Sequence, residues 1–140
     1  MHLSFRILAI LFIALVVLQS ILGGALFVVL AGWNPHDIAA YYSQKSFHGL
    51  LETLAPHTLF ISAALMGTLH FLGFIETISE KQKQLFIHVL FGLFVLDQTA
   101  PIFISLGMDF FASVKLIAFI GFEVALASVW LIIFRHSIEA

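Results

Sequence analysis

The first long apolar stretch of the chain runs from Ile7 to Leu30 and reads ILAILFIALVVLQSILGGALFVVL. It contains no charged residue, and Gln19 and Ser20 are its most polar side chains. A helix needs roughly 20 apolar residues to cross the hydrocarbon core of a bilayer, and this stretch is longer than that. It therefore predicts a transmembrane helix.

Three further apolar runs have a similar length, and short links join them to one another. The runs cover residues 57–75, 85–106 and 110–134, with a polar link at 76–84 and a tight turn at 107–109. Short links make consecutive helices antiparallel neighbours. We predict an all-α integral membrane protein, a four-helix transmembrane bundle that forms a single domain over residues 1–140.

The composition supports the same class. Hydrophobic residues make up 61% of the chain, charged residues make up 10%, and the mean hydropathy is +1.10. A soluble domain of this size cannot bury so much apolar surface, so the lipid bilayer is the predicted partner. The absence of cysteine excludes disulfides and covalent c-type haem attachment. A net charge of −2 without a basic cluster argues against nucleic acid as a partner.

The first run also resembles a signal peptide, because Arg6 precedes an apolar stretch. Cleavage would leave three spans. However, the stretch is longer than the apolar core of a typical signal peptide, and no Ala-x-Ala motif ends it. We therefore predict that the first helix is retained.

The distribution of lysine and arginine predicts the orientation. Cytoplasmic loops carry an excess of these residues. With the predicted spans, four of them fall on one side and two on the other, so we predict a bacterial inner-membrane protein with both termini in the cytoplasm. The majority side has Arg6, Lys81, Lys83 and Arg135, and the other side has Lys45 and Lys115.

The segment 33–56, between the first two spans, predicts an amphipathic interfacial structure. Asn34-Pro35 opens a turn, Asp37 can cap one short helix, and Ser46 can cap a second. Apolar residues of the second helix repeat on one face, and aromatic residues are placed to anchor the segment at the outer interface. The apolar residues are Phe47, Leu50, Leu51 and Leu54, and the aromatic residues are Trp33, Tyr41 and Tyr42.

Two histidines in the predicted spans favour a haem site. His70 and His88 lie on the two arms of one helical hairpin, at similar distances from its apex, so their depths can match within a turn. Gly67 and Gly92 lie about one turn away and leave room for a flat macrocycle. Two facing imidazoles are a ligand set for b-type haem. The alternative is that the glycines are helix contacts and the histidines form interhelical hydrogen bonds.

Two acids in the spans indicate a different site. Asp97 and Glu123 fall near the midplane, within about 6 Å of each other in depth. Pro101 lacks the N–H that would bond to the Asp97 carbonyl, and Gln98 and Thr99 follow Asp97 directly. Such a proline break beside polar groups is typical of cation or proton sites. The alternative is a kink for packing, with Asp97 either protonated or bonded to Gln19 or Ser20.

A metal site outside the membrane is a further hypothesis. His48 and Glu52 are four residues apart on one helical face, and His57 follows closely. These side chains can ligate zinc or copper. The alternative for His48 and Glu52 is a solvated ion pair.

In outline the chain resembles the small membrane-anchor cytochromes, through its few helices and the placement of its histidines. That resemblance implies an electron-transfer or quinone-interacting subunit with b-type haem between the second and third helices. Two alternatives are an ion- or proton-coupled transport component and an assembly subunit that binds other membrane subunits or a second copy. No nucleophile and base stand at a spacing that indicates covalent catalysis.

Overall fold

The computed structural model describes residues 3–139, which form five helices. Four of these helices are long and apolar enough to cross a membrane. This confirms the predicted all-α transmembrane bundle with a short segment between its first two spans. The helices are α1 (Leu3–Ala31), α2 (Pro35–Ser43), α3 (Phe47–Gly73), α4 (Glu80–Ser105) and α5 (Phe110–Glu139).

The four long helices alternate in direction, so the bundle has two distinct ends. At the terminal end, where α1 begins and α5 finishes, Nε of Arg6 donates a hydrogen bond to the backbone oxygen of Ser137 over 2.6 Å. At the opposite end, called the α2 end here, α2 packs across α1, α4 and α5. The most extensive helix contact is that of α4 with α5.

The short helix α2 begins one residue after Asn34, which accepts a hydrogen bond from the backbone N–H of Asp37 over 2.9 Å. The sequence predicted Asp37 as the cap of this helix, but the cap is Asn34. Pro35 explains the shift, because its fixed φ and missing N–H suit the first position of a helix. Ile38 and Tyr42 are buried against the bundle, so α2 closes its end and does not lie as a free surface helix.

Helix α3 begins at the predicted cap, Ser46, which accepts from the backbone N–H of Gly49 over 3.1 Å. It then continues through Pro56 to Gly73. The predicted start of the second helix at His57 therefore needs correction, because residues 47–56 form the first turns of one continuous helix that ends at Gly73. Proline removes one hydrogen bond from a helix, and packing of Leu50 against the α2 end holds these turns in place.

The other spans also extend past their predicted limits. Helix α4 begins five residues earlier than predicted, where Ser79 and Gln82 form a reciprocal capping box. Buried residues form two clusters, one toward the terminal end and a smaller one beneath α2.

Candidate functional site

A buried ion pair joins the last two helices. Nζ of Lys115 on α5 donates to Oδ1 of Asp97 on α4 over 2.5 Å. The two side chains are only 7% and 10% exposed, respectively. Removing two charges from water costs several kcal/mol per ion, so such a pair needs good geometry and further hydrogen bonds.

Those further bonds come from Gln98 and Thr58. The amide nitrogen of Gln98 donates to Oδ2 of Asp97 over 2.8 Å, and its amide oxygen accepts from the hydroxyl of Thr58 over 3.1 Å. One network thus links α3, α4 and α5, and both carboxylate oxygens of Asp97 are engaged. Asp97 is bonded to Lys115 and Gln98, in place of the Gln19 or Ser20 considered from sequence.

Two residues differ from expectation, one that was predicted for the site and one that was not. Thr99 does not join the network, because its hydroxyl donates to the backbone oxygen of Val95 on its own helix over 2.8 Å. Lys115 was missed as a site residue, because its position shortly after the turn at 107–109 placed it among the loop charges. Depth gave only a partial signal, since the distances of Asp97 and Lys115 from that turn differ by about one helical turn.

A cavity of about 160 Å³ borders the ion pair, between α1 and α3 and beneath α2. A single water needs about 10–15 Å³ by the same measure, so the space admits a small molecule. Glu123 lines it, beside Ser20 and close enough to Asp97 to interact electrostatically. The structure therefore brings the two predicted acids, Asp97 and Glu123, to one cavity.

The α2 end contributes a phenol to this cavity. Tyr42 is buried, and burial raises the pKa of its phenol, with the Asp97 carboxylate and Tyr41 raising it further. The Tyr42 hydroxyl therefore stays protonated at physiological pH and remains a hydrogen-bond donor. Lys115 also lies 5.4 Å from the centre of the Phe27 ring, a distance that allows a cation–π contact.

Toward the terminal end, aromatic side chains close the space between α1 and α3. Phe12 packs against Phe71 with ring centroids 5.3 Å apart, and Phe5 packs against Phe71 at 5.1 Å. Behind them the indole N–H of Trp130 donates to the hydroxyl of Thr68 over 3.2 Å, and both side chains are buried. The cavity is therefore limited to the half of the bundle beneath α2.

The two histidines proposed as haem ligands lie on the outside of the bundle. Both are exposed. His70 packs edge-on against Phe74, and Nδ1 of His88 lies 2.7 Å from the backbone oxygen of Gln84 on its own helix. Helix rotation explains this placement, because the buried residues Thr68 and Leu90 lie two positions away and turn the histidines outward.

The two glycines differ in their surroundings. A Cβ atom at Gly67 would lie 2.6 Å from the tip of the Phe12 ring, whereas a Cβ at Gly92 would meet no atom within 4 Å. The ring of Phe12 thus fills the space beside Gly67 that was predicted to accommodate a macrocycle. Haem ligation by His70 and His88 stays a prediction, and a reduced-minus-oxidised spectrum of the purified protein tests it.

The residues proposed for an outer metal site separate into two groups. Nε2 of His48 lies 3.1 Å from Oε1 of Glu52, and both side chains are largely exposed. His57 lines the cavity, on the opposite face of α3 from His48. Among residues 3–139, no group of three His, Asp or Glu side chains is placed to hold a metal ion.

Residues 32–140 match the model of a protein family that is described as a transmembrane helical domain. The chain belongs to this family. The matched part contains α2 to α5 and therefore Asp97, Lys115 and Glu123, whereas Gln19 and Ser20 on α1 lie outside it. Comparison with curated proteins and with solved structures finds no match.

Proposed function

We propose that the chain is a proton-coupled transport component of a membrane, with Asp97, Lys115 and Glu123 as the groups that carry charge. One observation supports this function best: a buried lysine–aspartate pair borders a cavity that contains another carboxyl group. Ionisable groups at membrane depth are expensive, and in membrane proteins they mark ion and proton pathways. A purely structural pair would not need a cavity beside it.

The arrangement supplies a sequence of proton sites. Glu123 and His57 line the cavity and can accept a proton from its opening. Protonation of Asp97 would release Lys115, because a neutral carboxyl group no longer balances the ammonium charge. The proton would then change the contact between α4 and α5, which is how proton uptake would be coupled to a change in the bundle.

The cavity is open at the surface of the bundle and closed toward the terminal end. Thr53 and His57 line it and are exposed, so it reaches the surface of the bundle beneath α2. The rings of Phe5, Phe12 and Phe71 separate it from the terminal end. Passage to the other side would require α1 to move away from α3, and alternating access of this kind is usual in small transport bundles.

Proton movement into vesicles tests the function. In liposomes with an imposed membrane potential and an enclosed pH-sensitive dye, the protein should acidify the lumen faster than empty vesicles do. Glu123→Gln keeps the size of the side chain but removes its titration, so it should slow acidification by about tenfold or more. Glu52→Gln is the matched control, because Glu52 is exposed and lies outside the cavity. Equal rates for Glu123→Gln and wild type would contradict the proposal.

We also propose that the terminal end faces the cytoplasm of a bacterial cell. Lys115 is buried, so Lys45 alone remains as a basic residue near the α2 end, against four at the terminal end. The chain has no cysteine, so single-cysteine variants report topology cleanly. An impermeant maleimide should label Lys45→Cys in intact cells and Lys81→Cys only after permeabilisation. The reverse pattern would invert the orientation.

A further inference from the structure

The cavity combines aromatic walls with one carboxyl group, that of Glu123, which forms no ion pair among residues 3–139. The rings of Phe27, Phe119 and Phe122 contribute to its lining, together with Tyr41. Glu123 is half-buried on the same helix as Phe119 and Phe122. Aromatic faces carry partial negative charge and attract cations. Lys115 and Lys45 already lie over the rings of Phe27 and Tyr41, so Phe119, Phe122 and the carboxyl group are the parts of the lining that favour a positive ligand.

The charged groups around the cavity also favour a positively charged ligand. Asp97 and Lys115 neutralise each other directly. When it is ionised, Glu123 adds the remaining negative charge of the lining, and the groups that face the cavity from α1, α2 and α3 are neutral or weakly basic. These are Gln19, Ser20, Tyr41, Tyr42, Thr53 and His57.

We infer that the cavity binds a small organic amine, with its ammonium group at Glu123 and its apolar body among the aromatic rings. This inference rests on the proposed role of Glu123 and names the class of substrate that would be exchanged for protons. A carboxylate binds an ammonium group through short, charge-assisted hydrogen bonds. An anion would have to displace Asp97 from Lys115, which already has a close partner there.

The shape of the cavity limits the ligand and indicates its route. A volume of about 160 Å³ is smaller than the roughly 300–1,000 Å³ of drug-sized pockets, so the ligand has few heavy atoms. Leu26 and Leu30 on α1 line the cavity and are exposed. Their exposure opens the site toward lipid, where an apolar amine concentrates.

Calorimetry on the purified full chain in detergent tests the inference with three probes of similar size: benzylamine, benzyl alcohol and benzoate. Benzylamine should bind about tenfold more tightly than benzyl alcohol, because a charge-assisted hydrogen bond adds to the same ring contacts. Benzoate should bind more weakly than either. Tighter binding of benzoate, or no binding of benzylamine, would overturn the inference.

Two variants show where the amine binds. Glu123→Gln should reduce the preference for benzylamine over benzyl alcohol to about unity while benzyl alcohol still binds, which shows that the cavity remains intact. Glu52→Gln should keep the full preference, because Glu52 does not line the cavity. A preference that survives in Glu123→Gln would place the amine elsewhere and contradict the assignment.

The binding test and the vesicle test can fail separately. If Glu123→Gln slows proton movement but wild type does not bind benzylamine, the amine inference fails and the proton pathway stands. If benzylamine binds at Glu123 but wild-type vesicles move no protons, the transport function fails and the protein is an amine-binding membrane protein.

Discussion

Replacing Lys115 by methionine should lower the free energy of unfolding by about 3 kcal/mol or more, because removal of one partner leaves the other as an uncompensated buried charge. Asp97 would retain Gln98 as a hydrogen-bond donor but would lose the ammonium group. Asp97→Asn should cost a similar amount, since it leaves Lys115 alone at the same depth. Unfolding in detergent by increasing dodecyl sulfate, followed by helical circular dichroism, measures both.

The double variant Asp97→Asn with Lys115→Met distinguishes an ion pair from two independent contacts. Neither charge of the pair remains, so most of the lost stability should return, because no uncompensated buried charge is left. Lys81→Met is the control, because Lys81 is exposed, and its change should stay within about 0.5 kcal/mol. Losses that simply add in the double variant would show that the two side chains do not act as a pair.

The long helices could be predicted from sequence because the bilayer itself sets the rule. Its thickness requires runs of about 20 apolar residues, and the lack of water inside it requires every backbone group to bond within a helix. The error at Pro56 shows the limit of this argument. In sequence a proline is typical of a boundary, but the structure shows a helix continuing through it because neighbouring residues pack on both sides of the position.

The acids could be predicted because any carboxyl group at membrane depth requires a partner, and Asp97 and Glu123 do meet at one cavity. The identity of that partner could not be predicted in the same way. Lys115 lies five residues after the start of α5, where a positive residue normally faces water or lipid headgroups. Its burial depends on the rotation of α5 against α4, which is a property of packing and has no local signal.

The histidines show why depth alone does not identify a site. His70 and His88 were paired because their depths match, but depth leaves the facing direction of each side chain open. Asp97 follows His88 by nine residues, which places the two on opposite faces of α4. Since Asp97 faces the interior, His88 must face outward, and the position of one buried acid therefore predicts the exposure of the histidine.

Gly67→Ala should lower the free energy of unfolding by about 1–2 kcal/mol, because the new methyl group overlaps the Phe12 ring and overpacking of this kind costs about 1–3 kcal/mol. The ring cannot move freely, since it also packs against Phe71. Gly92→Ala is the matched control on α4, where a Cβ meets no atom within 4 Å. There the change should stabilise by about 0.5–1 kcal/mol, the usual gain of alanine over glycine inside a helix.

A compensating change identifies the contact directly. Phe12→Leu shortens the side chain that faces Gly67, so the double variant with Gly67→Ala should recover part of the loss. In the double variant with Gly92→Ala, the effects of the two single changes should simply add. Unfolding in dodecyl sulfate measures the five variants and wild type on one scale. If Gly67→Ala stabilised the protein as much as Gly92→Ala does, Phe12 would not occupy the space beside Gly67. That space would then be open, as ligation of a haem by His70 and His88 requires.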